Sequence, residues 1–178
     1  EIAARYQLTI AGINQHIGSL FMDPEPYLKA VSNLLRIAER FPNLEFIDFG
    51  GGYGIPYHKL DDETEFDMES FRQRLVPILD QFVVEYGKAP LFKSEPGRYC
   101  VAEGSVILGR VHAVKQNASK KYVGTDVGMN VLVRPSMYDS WHDIEVLRNG
   151  QVVPRTDMEE QTVTGLSLIH ISEPTRLR

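Results

Sequence analysis

The stretch LEFIDFGGGYG, residues 44–54, places three glycines directly after a short apolar segment. Leu44–Phe49 is almost continuously apolar, which is typical of a strand buried on both faces of a parallel sheet. A glycine triplet at the carboxyl end of such a strand lets backbone amides approach a phosphate without side chains in the way. The triplet predicts a phosphate site, although a flexible loop explains it equally well when it is taken alone. The motif is not the dinucleotide-binding fingerprint, because GGGYG lacks the glycine spacing of that fingerprint and no helix follows promptly.

Strands and helices alternate on both sides of this stretch. Leu8–Gly18 begins as an apolar, β-branched run, and Asp23 and Pro24 then supply the N-cap and first position of a helix. Apolar spacing predicts a second helix over about 68–86, and residues 90–95 return as a strand. This β-α-β-α-β order predicts a parallel sheet with crossover helices.

The pattern changes after residue 98. Three valine-rich segments without helical periodicity follow, over residues 105–117, 121–128 and 142–155, and Asn149-Gly150 is a strong signal for a two-residue hairpin turn. Strands without intervening helices predict a separate β domain. We therefore expect one domain over residues 1–100 and a second over residues 101–165.

Composition excludes several classes of function. The chain has 178 residues, a formal charge of −5 and a single cysteine. The negative charge gives no reason to expect nucleic acid or a membrane surface as partner. A single cysteine, Cys100, fits a reducing cytoplasm and is interpreted as a small buried hydrophobe. Cys100, His112 and His142 lack the spacing of metal ligands, so no metal site is predicted.

The ends of the other two predicted strands also carry groups that could bind a ligand. QHIGS, residues 15–19, supplies His16 and Ser19, and EPGR, residues 95–98, supplies Glu95 and an arginine suited to phosphate or carboxylate. Singly, each has an ordinary explanation: a hydrogen-bonded core histidine, a turn serine, a surface ion pair. Three consecutive strand ends with candidate groups favour a binding site at one edge of the sheet.

A fourth motif lies in the predicted β domain. RPSMY, residues 134–138, follows TDVGMN, residues 125–130, and places Arg134 and Tyr138 around a proline-containing loop. An arginine and a tyrosine could bind a carboxylate and a polar group. An exposed loop with a packed tyrosine explains the same residues as well.

In this order, the four motifs resemble the alanine-racemase-like, fold type III decarboxylases that use pyridoxal phosphate. The resemblance covers about residues 8–165, and RPSMYDSWH after DVGMN favours the diaminopimelate branch over the ornithine and arginine enzymes. It implies an α/β chain: the C-terminal part of a cofactor-binding (β/α)8 barrel, followed by part of a β-sandwich or β-barrel domain. It also implies a homodimer in the full-length protein.

The resemblance also implies roles for individual residues. His16 would stack on the pyridine ring, and Glu95 would pair with the pyridine nitrogen. The expected cofactor-binding residues are His16, Ser19, Gly51, Gly52, Glu95, Gly97 and Arg98. The expected substrate-binding residues are Arg98, Arg134 and Tyr138.

The implied reaction is the decarboxylation of meso-2,6-diaminopimelate to L-lysine and CO2, with pyridoxal 5'-phosphate as cofactor and an amino acid as the small-molecule substrate. Three alternatives remain open. One is a decarboxylase of another basic amino acid, of the ornithine or arginine type. Another is a non-catalytic homologue that keeps the scaffold and binds partners. The third is a generic phosphate-binding barrel without amine chemistry.

Two departures from the family pattern bear on this chain. The lysine that forms the Schiff base in the family belongs upstream of Glu1, so no catalytic residue is assigned and the 178 residues alone are expected to be inactive. After residue 165 the sequence LSLIHISEPTRLR, residues 166–178, matches nothing in the family. We interpret that tail as an artefact and exclude it from the fold prediction.

Overall fold

The computed structural model describes residues 2–58, 63–159, 161–165 and, for the backbone, 175–177. The chain forms two compact units. The first comprises Glu1–Pro56 and Thr64–Ser105, and the second comprises Tyr57–Glu63 and Val106–Arg178. The segment 57–63 thus belongs with the second unit, although most of the surrounding sequence belongs with the first.

The first unit is a three-stranded parallel sheet with crossover helices. Its elements are α1 (Ile2–Arg5), β1 (Gly12–Asn14), α2 (Glu25–Ala38), β2 (Phe46–Asp48), α3 (Met68–Tyr86), β3 (Leu91–Lys93) and α4 (Gly97–Val101), with a 3₁₀ turn at Ala102–Gly104. The strand order is β1-β2-β3, with Ile13, Ile47 and Phe92 in register. The predicted β-α-β-α-β alternation is confirmed.

Local signals explain where the helices begin and end. Pro24 is the residue before α2, and Asp23 Oδ1 accepts a hydrogen bond of 2.9 Å from the amide of Glu25, the first residue of the helix. Asp67 Oδ1 accepts one of 2.8 Å from the amide of Ser70 at the start of α3. Gly87 ends α3 in the left-handed conformation, at φ 79°, which glycine adopts without strain.

The core of the first unit lies between the sheet and the two long helices. Helix α2 buries one apolar face, and Ile47 on the central strand is fully buried. A cluster of aromatic rings packs edge to face at the carboxyl end of β2: Phe21, Tyr27, Tyr53, Phe66 and Phe71. Such contacts add to burial and hold the loops around them in place.

Most regular elements of the second unit are strands. Its elements are β4 (Val111–Asn117), β5 (Lys120–Thr125), α5 (Arg134–Tyr138), β6 (Leu147–Arg148), β7 (Gln151–Val152), a 3₁₀ turn at Arg155–Asp157, β8 (Gln161–Thr164) and β9 (Thr175–Leu177). One sheet has the order β4-β5-β8-β9, with β5 and β8 parallel and the other neighbours antiparallel. The turn predicted at Asn149-Gly150 is confirmed: both residues have positive φ and join β6 to β7.

The structure corrects two expectations. Cys100 is exposed, not buried, because the short helix α4 that carries it buries none of its residues. RPSMY forms the helical turn α5 rather than an irregular loop, because Pro135 has a backbone angle suited to the first turn of a helix and is buried there.

The interpreted tail falls largely outside the described residues. Within it, the backbone of Thr175–Leu177 pairs antiparallel with Gln161–Val163. Residues 166–174 and 178 are not among those described, and the origin of the tail remains a prediction. In the described part of the chain no helix has the length and apolar character to cross a membrane.

Candidate functional site

The loops that follow β1, β2 and β3 meet at one edge of the parallel sheet. The amide of Gln15 donates to the carbonyl of Asp48 at 3.0 Å, which joins the first loop to the second. The amide of Glu95 donates to the carbonyl of Gly50 at 3.0 Å, which joins the third loop to the second. The predicted convergence of the three strand ends is therefore present, with the glycine triplet in the middle.

Glycine is required in this triplet because neighbouring backbone fills the space of a side chain. A Cβ atom at Gly50 would overlap the carbonyl oxygen of Gln15, and one at Gly51 would overlap that of Glu95. At Gly52 the carbonyl oxygen of Gly18 would be overlapped. The glycines thus let three loops pack backbone against backbone, a reason that the sequence analysis did not anticipate.

The same packing leaves donors for an anion. Among the described residues, no acceptor forms a hydrogen bond with the amides of Gly51 or Gly52, and Gly51 is buried. An amide removed from water without an acceptor costs free energy, so these two donors favour an anionic group such as a phosphate. The turn therefore fits the phosphate of the expected cofactor.

A hydroxyl network lies beneath the glycine turn. Tyr53 donates to the hydroxyl of Tyr27 at 2.9 Å, and its own hydroxyl lies 2.8 Å from Ser94 Oγ. Tyr27 and Ser94 in turn donate to the carbonyl of Gly50, at 3.4 and 3.1 Å. Burial, with a smaller contribution from the hydrogen bond to Tyr53, raises the pKa of Tyr27 well above its usual value.

Sequence reasoning missed this network. Tyr53 lies within the quoted glycine stretch, and Ser94 directly precedes the EPGR motif. Tyr27 looked like any other apolar position on the buried face of α2. Their positions next to the motifs could have indicated Tyr53 and Ser94, whereas nothing in the sequence links Tyr27 to the glycine turn.

The other predicted residues of the first unit surround this edge. His16, Ser19, Glu95 and Gly97 are exposed, and Arg98 is half-buried in the short helix α4. His16 Cα lies 3.3 Å from the position that a Cβ at Gly50 would take, and Glu95 is bonded to Gly50 through its amide. The structure thus brings His16 and Glu95 to the glycine turn from opposite sides.

In the second unit, Arg134 is held by two rings. Its guanidinium carbon lies 4.9 Å from the ring centroid of Tyr57, and Nη1 lies 3.1 Å from Nε2 of His142. The rings of Tyr57 and His142 also meet edge to face at 5.0 Å. Tyr138, by contrast, is 68% exposed, so the structure orients Arg134 and leaves Tyr138 in solvent.

The segment that carries Tyr57 is itself fixed within the second unit. A carboxylate oxygen of Glu63 accepts hydrogen bonds of 2.7 Å from the amides of Tyr57 and His58. The ring of His58 stacks on Trp141 at 5.0 Å, and Trp141 Nε1 donates to Asp143 at 2.8 Å. The sequence analysis did not predict any part of this aromatic cluster. In the described residues no group of His, Cys, Asp and Glu has the arrangement of a metal site.

Comparison with known proteins matches each part of the chain to a domain. Residues 1–102 match the pyridoxal binding domain of the pyridoxal-dependent decarboxylases, and residues 98–168 match their C-terminal sheet domain. A diaminopimelate decarboxylase of Methanothermobacter thermautotrophicus is 40% identical over 154 residues, which are 83% of this chain and 35% of that protein. The Escherichia coli K12 diaminopimelate decarboxylase is 31% identical over 167 residues, 93% of this chain and 39% of that protein.

Solved structures give the same result. A diaminopimelate decarboxylase from Helicobacter pylori, complexed with L-lysine, superposes with a TM-score of 0.76 and 28% identity. The match covers 96% of this chain and 41% of that one. The chain therefore spans well under half the length of the relatives it matches. Since the pyridoxal-binding domain alone accounts for more than half of its residues, this chain belongs to the pyridoxal-dependent decarboxylase family.

Proposed function

We propose that the protein containing this chain decarboxylates meso-2,6-diaminopimelate to L-lysine and CO2 with pyridoxal 5'-phosphate. The observation that carries this proposal is the convergence of three strand ends on the amides of Gly51 and Gly52, which have no hydrogen-bond acceptor in the described part of the chain, within a pyridoxal-binding domain. The choice of substrate is supported by relatives named diaminopimelate decarboxylase at 31–40% identity.

Residues of the first unit would hold the cofactor. The amides of Gly51 and Gly52, with the hydroxyl of Ser19, would bind its phosphate. When bound, pyridoxal phosphate supplies an electron sink for the charge left behind as CO2 departs. The imidazole of His16 would cover one face of the ring and keep water from it. Gly97 would let the EPGR loop turn tightly beside the cofactor.

Glu95 would have an electrostatic role. Its carboxylate would accept a hydrogen bond from the pyridine nitrogen and hold the proton on that atom, since an adjacent negative charge favours the protonated form. The amide bond from Glu95 to the carbonyl of Gly50 fixes its backbone next to the phosphate turn. One short segment would thereby orient both ends of the cofactor.

Substrate binding would involve residues of both sequence segments matched to the family. Arg98 would contact the phosphate or the substrate, while Arg134 and Tyr138 would bind the distal amino-carboxylate end that distinguishes diaminopimelate from ornithine. The contacts of Arg134 with Tyr57 and His142 support a binding role, because they direct a planar cation that pairs well with a carboxylate. A cytoplasmic homodimer is part of the same proposal.

The test is substrate turnover by the complete protein that contains this chain. We expect release of CO2 and L-lysine from meso-diaminopimelate in the presence of pyridoxal phosphate, and little from L-ornithine or L-arginine. Preferential turnover of ornithine or arginine would move the protein to the other substrate branch. Cofactor binding without turnover of any of the three would favour the non-catalytic homologue.

The 178 residues alone provide a second comparison. Because the resemblance places the essential lysine before Glu1, we propose that this chain alone releases no lysine from diaminopimelate. Lysine formation by the purified chain, measured by amino-acid analysis, would overturn that expectation.

A further inference from the structure

Three donors lie within hydrogen-bonding distance of the carbonyl oxygen of Gly50: the amide of Glu95 at 3.0 Å, Ser94 Oγ at 3.1 Å and the hydroxyl of Tyr27 at 3.4 Å. Because each hydroxyl has one proton and Tyr53 donates to Tyr27, the Ser94 proton is shared between Gly50 and Tyr53. These donors come from the loop after β3 and from helix α2, two separate parts of the first unit. Gly50 has φ 71°, a left-handed backbone conformation that glycine adopts without strain because it has no side chain.

Tyr53 joins two of these donors. Its hydroxyl lies 2.9 Å from that of Tyr27 and 2.8 Å from Ser94 Oγ, and only 6% of Tyr53 is exposed. Without this hydroxyl, Tyr27 and Ser94 would lose their shared partner and would be free to turn away from Gly50. The raised pKa of Tyr27, caused mainly by burial, keeps that hydroxyl protonated and able to donate.

The orientation of the Gly50 carbonyl determines where the amide of Gly51 points. Both groups belong to one planar peptide unit, and the bond is trans, so C=O and N–H point in opposite directions. A carbonyl held from below therefore presents the Gly51 amide, which has no acceptor among the described residues, at the opposite side. That amide is one of the two donors assigned to the phosphate.

We propose that Tyr53 is a positioning residue for the cofactor phosphate: through Tyr27 and Ser94 it holds the Gly50–Gly51 peptide so that the Gly51 amide faces the phosphate. The inference rests on the proposed function, because it assumes that a phosphate binds at this turn. This role can be told apart from a role in core packing. If Tyr53 only packed the core, its loss would weaken the binding of every ligand and lower the stability. As a positioning residue, it should affect the binding of those ligands that carry a phosphate.

The experiment uses the complete protein, freed of cofactor, with Tyr53→Phe and a control variant, Tyr86→Phe. The Tyr86 hydroxyl bonds to the carbonyl of Phe41 and accepts from the amide of Leu44, before the start of β2. Both variants remove one phenolic hydroxyl that is hydrogen-bonded in the same unit. Dissociation constants for pyridoxal phosphate, for pyridoxal without its phosphate and for inorganic phosphate are measured by fluorescence quenching and competition, with the melting temperature of each cofactor-free protein.

We expect Tyr53→Phe to raise the Kd for pyridoxal phosphate and inorganic phosphate about three- to tenfold, the effect of one hydrogen bond, and to leave pyridoxal unchanged. Tyr86→Phe should lower the melting temperature without changing any Kd. Ser94→Ala should reproduce the Tyr53→Phe pattern, and it serves as the test if Tyr53→Phe fails to fold.

Equal weakening of all three ligands, or no change in any, would overturn the inference while leaving the proposed function intact. A parent protein that binds neither pyridoxal phosphate nor inorganic phosphate would overturn the proposed function and the inference together. Binding of pyridoxal phosphate and inorganic phosphate by the unsubstituted protein therefore distinguishes the two failures.

Discussion

At Gly51 the missing side chain matters because the carbonyl oxygen of Glu95 occupies the place of a Cβ. The obstacle is backbone, which cannot rotate away as the end of a flexible side chain can. Glycine is thus required at this position because the loops after β2 and β3 pack closely against each other. Any phosphate binding there depends on that packing, since it leaves the Gly51 amide without a protein acceptor in the described structure.

Replacing Gly51 with alanine should therefore destabilise the protein by about 1–3 kcal/mol, the usual cost of overpacking, and should weaken pyridoxal phosphate binding. Gly104→Ala is the matched control, because a Cβ there meets no atom within 4 Å. It should change stability by less than about 0.5 kcal/mol. Urea unfolding of the complete protein measures both, and equal stability of the two variants would contradict the assignment of a backbone clash.

Arg134 is the residue on which the choice of substrate depends most directly. Its contacts with Tyr57 and His142 hold the guanidinium in one orientation, which lysine could not reproduce because its ammonium is neither planar nor forked. Nε2 of His142 can accept from Nη1 in the tautomer that carries the ring proton on Nδ1. The stacked and hydrogen-bonded geometry is therefore specific to a planar guanidinium.

In the complete protein, Arg134→Ala should raise KM for diaminopimelate about ten- to a hundredfold, the effect of losing a hydrogen bond between charged groups. Arg148→Ala, which removes an exposed arginine of β6, should leave KM unchanged. Steady-state kinetics measure both values. An unchanged KM in Arg134→Ala would show that another group binds the distal carboxylate.

Among the elements, helix α3 carries an electrostatic signature in its first turn. Glu69 accepts from Nε and Nη2 of Arg72, at 2.9 and 2.7 Å, and from Gln73. The hydrogen bond from Arg72, followed by that from Gln73, lowers the pKa of Glu69 to about 2 from 4.5. Because the pKa is lowered in the folded state, this pair contributes stability above about pH 4.5 that is lost as the pH falls toward 2. Both side chains are exposed, so salt screens the effect.

Titration of the Glu69 carboxyl by NMR should give a midpoint near pH 2 at low salt. In Arg72→Ala the midpoint should rise toward 4.5, and it should rise less in Gln73→Ala, because Arg72 is the larger cause. Identical midpoints in the two variants would contradict this ranking.

The elements also show how far the sequence alone can lead. Helix α3 and its glycine cap follow from apolar spacing and Gly87, which are local signals. The parallel sheet follows from the alternation of segments, and the convergence of strand ends follows from the sheet. Helix α5 was missed because five residues with a proline carry too little periodicity. The Tyr27–Tyr53–Ser94 network was missed because it joins three distant segments, and only the folded chain shows which hydroxyls meet.

At the scale of the whole molecule, the segment 106–108 stands out because it carries three consecutive exposed apolar side chains. Val106 and Leu108 are 83% and 81% exposed, and Ile107 between them is 52% exposed. Three consecutive exposed apolar residues favour association with other apolar surfaces. We expect the 178-residue chain on its own to aggregate through this segment.

Replacing Val106 and Leu108 with threonine should raise the soluble fraction of the 178-residue chain and reduce its concentration-dependent light scattering. The control is Val31→Thr, an equivalent change at a fully buried position of α2, which should lower solubility by destabilising the core. If scattering does not fall in the double variant, another surface drives the association.

The membership of residues 57–63 in the second unit has a consequence for how the two units evolve. Tyr57 and His58 are encoded ahead of α3, yet their rings contact His142 and Trp141. A recombination event that joined the sheet domain to a foreign gene at residue 100 would leave both rings behind and strip Arg134 of one of its two supports. The two units are therefore expected to have evolved together, with substitutions at Tyr57 and His58 compensated by changes at Arg134, Trp141 and His142.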